Sequence, residues 1–159
     1  MIVSQKILIL GIGNEILTDD GIGPKIVKQL EQDSPIKNVE YQTACMGGLD
    51  ILELLRDYDK VVFIDAIKTR GGVPGDVYYL TPENFKETLH LSNLHDVSFL
   101  HAIELGKQLE IKVPDDIHII AIEIVEDLVF EDTFSPQIQE QYDEIYTSIK
   151  NRIREILEK

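Results

Sequence analysis

Residues 6–23 read KILILGIGNEILTDDGIG, and this stretch decides the fold class. Residues 6–10 form a short, almost continuous apolar run that stops at Gly11, which is typical of a strand buried on both faces of a parallel sheet. Apolar residues then recur every four positions and mark one stripe of a helix, at Ile22, Ile26 and Leu30. The stretch therefore predicts a strand, a tight glycine-rich loop and a helix.

The rest of the chain continues this alternation. Further strands are predicted at Val39–Thr43, Lys60–Ile64, Asp76–Leu80 and Ile117–Ile124. Further helices are predicted over Leu49–Leu55, from about Asp96 to about Leu109, and from Pro136 onward, with some helix between Thr81 and Asn93. Alternating strands and helices indicate a parallel sheet between helical layers. Because no repeat or linker interrupts the pattern, we expect one domain over residues 1–159.

Composition limits the possible partners. The chain has 29 acidic residues against 15 lysines and arginines, a formal charge of −14. Such a surface repels phosphate backbones and anionic lipids, so we expect neither nucleic acid nor a membrane as partner. Cys45 is the single cysteine, and no apolar run approaches the roughly 20 residues that span a bilayer. Since the sequence also shows no signal-peptide pattern, a cytoplasmic location is expected.

Two neighbouring acids stand out in the glycine-rich loop Gly11–Gly23. A dinucleotide-binding fingerprint G-x-G-x-x-G fits the first two glycines, but Ile16 occupies the position of the third. Asp19 and Asp20 also precede the helix, where a pyrophosphate requires neutral or positive surroundings. We therefore expect no nucleotide. The two acids either cap the following helix or belong to a functional site.

Asp65 directly follows the predicted strand Lys60–Ile64. In open parallel sheets, ligands bind beyond the carboxyl ends of the strands, where the strand order reverses. If the first and third strands are neighbours, Asp20 and Asp65 approach each other at that edge. Two carboxylates repel, so a shared proton, a basic residue or a metal ion must compensate. The alternative is that Asp65 only caps a loop.

His95 is predicted just ahead of a helix, at a position that suits a metal ligand. The helix dipole disfavours a charged imidazole there, but a neutral imidazole bound to a metal has no such penalty. Two carboxylates and one imidazole suit nickel, zinc or manganese. An ordinary surface histidine is the alternative. The other histidines do not precede a helix in this way: His90 lies in a connection, His101 within the helix, and His118 in a strand expected to be buried.

Other catalytic patterns are weak in this sequence. The zinc-protease signature H-E-x-x-H is absent, and its nearest counterpart is His101 with Glu104, which we interpret as a solvated pair on a helix. Cys45 has no histidine placed by the sequence to activate it as a nucleophile. We expect Cys45 to be a small buried residue.

Several segments, in order, resemble the hydrogenase maturation endopeptidases, a family of aspartate-containing peptidases. Their opening signature is carried by Gly11, Gly13, Asn14, Asp19, Asp20, Gly21 and Gly23. The segments GGLDIL (47–52), DAI (65–67) and LHDV (94–97) follow in the same order, with a loop ending at Pro74 and Gly75 between the last two. The resemblance spans about residues 6–106.

The resemblance implies a three-layer α/β/α fold with a twisted, mostly parallel, doubly wound sheet. It makes Asp20, Asp65 and His95 both the catalytic and the metal-contacting residues, while Asp19 supports them or caps the helix. It further implies removal of a C-terminal extension from the precursor of a nickel–iron hydrogenase large subunit. Nickel inserted in that precursor is then the recognition element, and the enzyme needs no permanent metal of its own. A monomer that docks transiently is expected.

The later part of the chain departs from the family pattern. In residues 123–136 (EIVEDLVFEDTFSP), Val125 and Glu131 stand where the family usually has a proline and a glycine, which affects partner specificity more than chemistry. Two rival functions stay open at this point. One is a self-contained metallohydrolase of small substrates, and the other is a non-catalytic nickel-dependent chaperone or nucleotide-binding module.

Overall fold

The structure is a computed structural model that describes residues 3–45, 49–87 and 95–159; of residues 49, 85–87 and 95–98 it describes the backbone alone. The strands are β1 (Ile7–Ile12), β2 (Val39–Ala44), β3 (Lys60–Ile67), β4 (Val77–Leu80) and β5 (Asp116–Glu123). The helices are α1 (Ile22–Asp33), α2 (Leu49–Leu55), α3 (Pro82–Glu87), α4 (His95–Gln108) and α5 (Pro136–Glu158), and a 3₁₀ turn (Thr18–Gly21) precedes α1.

The strands pair in one sheet with the order β2-β1-β3-β5-β4. β2, β1, β3 and β5 run parallel, and β4 is antiparallel to β5 at one edge of the sheet. The neighbouring positions of β1 and β3 confirm the strand order that the functional argument required. With helices on both faces, the predicted three-layer, mostly parallel α/β fold is confirmed.

Two apolar clusters cover the two faces of the sheet. One packs α1 and α5 against the sheet and includes Val62, Ile64 and Ala66 of β3. The other packs α2 and α4 against the opposite face and includes Val61 and Phe63. Because successive side chains of a strand point to opposite faces, β3 must be apolar at almost every position, and the whole strand is buried.

The strand β3 is longer than the sequence pattern predicted. It continues past Ile64 to Ile67, because β5 pairs with it along its whole length, up to the pair Ile67 and Glu123. Asp65 therefore lies inside the strand and not directly after it. The helix α4 likewise starts at His95, one residue before the predicted start, so His95 is its first residue.

The longest helix, α5, is amphipathic, and its buried stripe includes Ile138, Ile145 and Ile149. Its other faces carry charged residues and lie in solvent. Across the described parts of the chain, no helix is both long and apolar enough to span a membrane.

Candidate functional site

At the carboxyl edge of the sheet, β1 ends before its neighbour β3 does. Ile12, the last residue of β1, pairs with Asp65 of β3, and β3 and β5 continue beyond this point. The chain leaves β1 there and enters the 3₁₀ turn, which contacts β3. This is the point where the strand order reverses, and ligands of open α/β sheets bind at such points.

Two glycines let the loop after β1 lie tightly against this edge. Gly13 has φ of +145°, and a Cβ atom there would lie 2.0 Å from the backbone oxygen of Asp20. A Cβ atom at Gly23 would lie 2.3 Å from the backbone oxygen of Ile64. Both positions therefore exclude any side chain. These two glycines let the loop pack closely against the rest of the chain. This packing holds the turn that carries Asp20 beside the ends of β1 and β3.

Asp20 is half-buried and lies on the 3₁₀ turn. Its Oδ2 accepts a hydrogen bond of 2.8 Å from the backbone N–H of Asn14. The side chain of Asn14 in turn accepts the N–H of Ile16 at 3.1 Å, which closes a tight turn. The loop thereby orients the Asp20 carboxylate. This bond joins Asp20 to its own loop and not to α1, whose N-cap residue is Gly21.

Asp65 is 4% exposed, and its Oδ1 accepts the backbone N–H of Ala66 at 2.8 Å. Its neighbours Ile64 and Ala66 belong to the cluster under α1 and α5. By strand alternation, Asp65 points to the other face of the sheet, which α2 and α4 cover. The capping interpretation fails here, because Asp65 lies within β3. Carboxylates this buried are rare unless they are hydrogen-bonded, ion-paired or part of a functional site.

The backbone of α4 begins at the same edge. This helix leads directly into β5, so its last turn lies near the amino end of β5 and its first residue, His95, lies near the carboxyl edge. It packs on the face to which Asp65 points. The side chain of His95 is outside the part that the structure describes, so its predicted role stays a prediction.

Asp19 has a structural role that sequence patterns did not indicate. It is fully buried, and its Oδ2 accepts the N–H of Val125 at 3.1 Å and that of Glu126 at 2.9 Å. Both carboxylate oxygens also bind Ser135, Oδ1 from its N–H at 2.8 Å and Oδ2 from its hydroxyl at 2.7 Å. A buried carboxylate with this many donors fixes the segment between β5 and α5 onto the 3₁₀ turn. Asp19 thus supports the loop and caps neither α1 nor the turn.

Thr18 adds two further bonds to the same segment. Its N–H donates to the backbone oxygen of Glu131 at 2.9 Å, and its hydroxyl donates to that of Val129 at 2.6 Å. Leu17 and Glu131 form an isolated parallel bridge. The segment 125–135 therefore lies along the loop that carries Asp20. No local pattern predicts these contacts of Thr18, because its partners lie more than a hundred residues away. The single hint in the sequence is that Thr18 precedes two acids.

The third loop at this edge, after β3, is held by Glu123. This buried carboxylate accepts the N–H and the hydroxyl of Thr69 at 2.9 and 2.6 Å. Lys68 then pairs with Asp127 of the segment 125–135 at 3.3 Å. The loops after β1, β3 and β5 are thus joined to one another at the edge that holds Asp20 and Asp65.

Other candidate residues lie apart from this edge or differ from expectation. His101 is exposed on α4, as a solvated helix residue should be. His118 is only partly buried and pairs with Asp116 at 2.7 Å near the amino edge of the sheet, so its expected burial is wrong. Cys45 directly follows the edge strand β2 and is exposed, so its expected burial is wrong. His90 is outside the described residues.

The amino edge of the sheet holds acids of a different kind. Lys60 is 4% exposed and lies 3.3 Å from Asp116, which also meets His118. Asp59 pairs with Lys112 at 2.9 Å and accepts the backbone N–H of Lys6 at 2.8 Å. The hydrogen bond from Lys112 lowers the pKa of the Asp59 carboxyl, and the same bond raises the pKa of the Lys112 ammonium. These acids are neutralised by cations.

The donor set at the carboxyl edge suits a divalent ion chemically. Among the described side chains, which exclude that of His95, no group of three or more histidines, cysteines and acids is placed to hold a metal. Asp20 and Asp65 supply hard oxygen donors, and a further ligand must come from His95 or from whatever binds.

Comparison with known proteins gives consistent results. A family profile described as hydrogenase maturation protease matches residues 24–152, a range that includes Asp65 and His95 and begins after Asp20. The hydrogenase 2 maturation protease of Escherichia coli (strain K12) is 35% identical over 80 residues, which are 50% of this chain and 49% of that protein. The chain thus spans about half the length of this relative. A protein of Methanocaldococcus jannaschii, assigned as a hydrogenase maturation protease, is 33% identical over 126 residues, 76% of this chain and 73% of its own.

Solved structures show the same fold. The hydrogenase maturating endopeptidase HybD from Escherichia coli aligns with a TM-score of 0.79 and 23% identity, over 95% of this chain and 93% of that one. The [NiFe] hydrogenase maturation protease HybD from Thermococcus kodakarensis aligns with a TM-score of 0.69 and 23% identity, over 92% and 98%. At these identities the likeness concerns the architecture.

Proposed function

Because the chain belongs to the hydrogenase maturation protease family, we propose that it is an endopeptidase acting on the precursor of a nickel–iron hydrogenase large subunit. It removes a C-terminal extension from that precursor. The observation that carries the proposal is the family match over residues 24–152, together with the carboxylates held at the sheet edge where ligands of this fold class bind.

Nickel in the precursor is the recognition element in this proposal, and Asp20, Asp65 and His95 contact it. The support is geometric. Each of the two carboxylates has one oxygen oriented by a backbone N–H, from Asn14 for Asp20 and from Ala66 for Asp65. Ligands positioned in this way bind a metal without a large rearrangement. Since the ion belongs to the substrate, a precursor without nickel lacks the group that these residues recognise.

The chemistry of cleavage follows from the same groups. A divalent ion near the scissile bond polarises its carbonyl and lowers the pKa of a coordinated water to about 7. Asp20 is the more accessible of the two acids, so it is the better placed to take a proton from an attacking water. Asp65 is buried in β3 with one oxygen held by the N–H of Ala66, so we assign it the role of a ligand.

A nucleotide role for the glycine-rich loop is disfavoured by the packing of that loop. The space beside Gly13 is filled by the backbone of Asp20, and the first turn of α1 is buried from Ile22 to Pro24. We accordingly propose that no nucleotide takes part. The proposal also includes a cytoplasmic location. It further includes a monomeric state, since a formal charge of −14 opposes self-association.

The test is mass spectrometry of a hydrogenase large-subunit precursor incubated with and without this protein. Two forms of the precursor are compared, one loaded with nickel and one free of it. We expect loss of one C-terminal fragment from the nickel-loaded form alone. A tail that stays intact in the cognate nickel-loaded precursor contradicts the proposed activity, and equal cleavage of both forms contradicts the role of nickel.

Two rival functions give different results in the same experiment. A self-contained metallohydrolase leaves the precursor intact and purifies with about one tightly held ion per chain. A nickel chaperone moves the ion without cutting the tail, which the intact mass of the precursor reveals.

A further inference from the structure

An exposed group of large apolar side chains lies beside the proposed site. We call it the apolar patch, and it consists of Ile16, Leu128, Val129 and Phe130, which are 55%, 79%, 45% and 74% exposed. Three of them are consecutive in the segment after β5. Single exposed apolar residues need no explanation, but a cluster of them is characteristic of interaction surfaces.

The apolar patch is built on a fixed framework. The backbone oxygen of Val129 accepts the Thr18 hydroxyl, and the bridge between Leu17 and Glu131 is parallel. Ile16 and Phe130 each precede a bridge partner, so they lie next to each other along the two paired backbones. Asp19 holds the start and the end of the segment through Val125, Glu126 and Ser135. The exposed side chains are therefore displayed in one arrangement, which lowers the entropy cost of binding.

The apolar patch is continuous with the loop that carries Asp20. Ile16 belongs to that loop, and the N–H of Ile16 bonds to Asn14, whose own N–H orients the Asp20 carboxylate. A chain that lies over the patch is thus within a few residues of the site. A protein substrate needs contacts of this kind outside the bond that is cut, because remote contacts position the reacting group.

The charges around the apolar patch indicate what covers it. The segment contains Glu126, Asp127, Glu131 and Asp132 but no lysine or arginine. Two cations from other elements reach it, Lys68 at Asp127 and Lys25 at the backbone oxygen of Asp132, so the four acids still outnumber the cations. The side chains of Glu131 and Asp132 are exposed directly after Phe130. A second copy of this chain would bring the same acids and a further charge of −14, so electrostatic repulsion opposes that occupant. A segment with apolar anchors flanked by lysine or arginine complements the surface.

We propose that the apolar patch docks an apolar segment of the precursor that is flanked by lysine or arginine and lies outside the cleaved tail. This inference rests on the proposed function and adds a second contact region to it. The patch selects the precursor by its surface, and the carboxylates recognise its nickel. The segment 123–136, which departs from the family pattern at Val125 and Glu131, then carries the choice of partner.

The test compares two matched double variants for binding and cleavage of the nickel-loaded precursor. Leu128→Ser with Phe130→Ser removes the two most exposed anchors of the patch. Val3→Ser with Leu109→Ser removes two residues that are 88% and 58% exposed elsewhere on the molecule. Loss of two apolar contacts should raise the Kd and KM about 10-fold or more in the patch variant and leave kcat unchanged. The control variant should match the wild type.

The outcomes separate the two proposals. An unchanged Kd and KM in the patch variant, with wild-type cleavage intact, overturns the docking surface and leaves the proposed function standing. Absence of cleavage by the wild type overturns the proposed function, and the Kd values alone then decide whether the patch binds the precursor. A wild-type dimer in sedimentation that the patch substitutions dissociate also overturns the docking proposal, because the occupant is then a second copy.

Salt provides an independent measure of the flanking charges. Contacts between exposed charges weaken as ionic strength rises, because the screening length falls. We expect the Kd of the wild type to rise several-fold between about 50 and 300 mM salt. A Kd that does not change over this range overturns the assignment of a basic partner segment.

Discussion

The two edges of the sheet hold their acidic residues differently. At the amino edge, Asp59 and Asp116 meet the cations Lys112 and Lys60, at 2.9 and 3.3 Å. At the carboxyl edge, Asp20 and Asp65 are each oriented by a backbone N–H, at 2.8 Å in both cases. The contacts at the amino edge are ion pairs, and those at the carboxyl edge fix the direction of one carboxylate oxygen.

Burial alone does not distinguish a structural acid from a functional one. Asp19, which anchors the segment 125–135, and Asp65 are both buried, at 0% and 4% exposed. A backbone N–H is a fixed dipole that leaves a carboxylate negative and ready to bind a cation. The comparison therefore predicts that substitutions of Asp20 and Asp65 change catalysis, whereas substitutions of Asp59 and Asp116 change stability.

The largest expected effect concerns Asp20→Asn. The asparagine oxygen can still accept the N–H of Asn14, so the loop should keep its conformation. The lost negative charge should lower kcat/KM for the nickel-loaded precursor by about 100-fold or more, as loss of a metal ligand or a general base does. Precursor cleavage followed by mass spectrometry measures this, with the melting temperature as control. Full activity in this variant would remove Asp20 from the site.

The neighbouring substitution Asp19→Asn should act on stability instead. It places an amide among donors that all require an acceptor, at a position that is fully buried. We expect a loss of about 3 kcal/mol in the free energy of unfolding. For a domain of this size, that loss lowers the Tm by about 6–12 °C. Thermal denaturation followed by circular dichroism checks it, and an unchanged Tm would contradict the role of Asp19 as an anchor.

At the amino edge, Asp116→Asn should have a smaller effect. It removes the charge that faces the buried ammonium of Lys60, although Asp116 itself is half exposed and partly screened. We expect a loss of about 1 kcal/mol in urea unfolding and no change in cleavage rate. Lys60→Met removes the buried charge itself. It should lower the free energy of unfolding less than Asp116→Asn, which leaves that charge without its carboxylate. The opposite order of the two effects would contradict this account.

The smallest effect is a pH dependence at Asp59. The pKa of its carboxyl is lowered in the folded state by Lys112 and by the N–H of Lys6, relative to an unfolded value of about 3.9. Its contribution to stability is thus present above about pH 3.9 and is lost as pH falls through the lowered pKa. Asp59→Asn should therefore be less stable than the wild type near neutral pH, with a difference that shrinks in acid. Urea titrations at several pH values measure it, and a difference independent of pH would refute it.

Much of the fold could be predicted from local patterns. The run KILIL, the helical stripe from Ile22 and the buried strand at 60–64 each carry their periodicity within a few residues, and all three are present in the structure. The juxtaposition of β1 and β3 followed from the rules of doubly wound sheets. The end of β3 could not be predicted in this way, since its last three residues are ordered by pairing with β5, far along the chain.

The candidate site was only partly accessible to such reasoning. Asp20 and Asp65 could be selected because Asp20 lies in the loop after the first apolar run and Asp65 directly follows the run 60–64. The anchoring role of Asp19 depends on Val125, Glu126 and Ser135, which no local pattern connects to it. Cys45 and His118 were expected to be buried from residue type and strand character. Their exposure depends on which strands lie at the edge and where the helices end, and this is a property of the assembled sheet.

The most direct test of the central claim is one cleavage assay on two aspartates of the same sheet. Asp65→Asn and Asp116→Asn are incubated, beside the wild type, with the nickel-loaded precursor, and the released C-terminal fragment is followed by mass spectrometry. If the carboxyl edge is the site, Asp65→Asn releases the fragment at least about 100-fold more slowly and Asp116→Asn releases it at the wild-type rate. Equal rates in the two variants would contradict the claim.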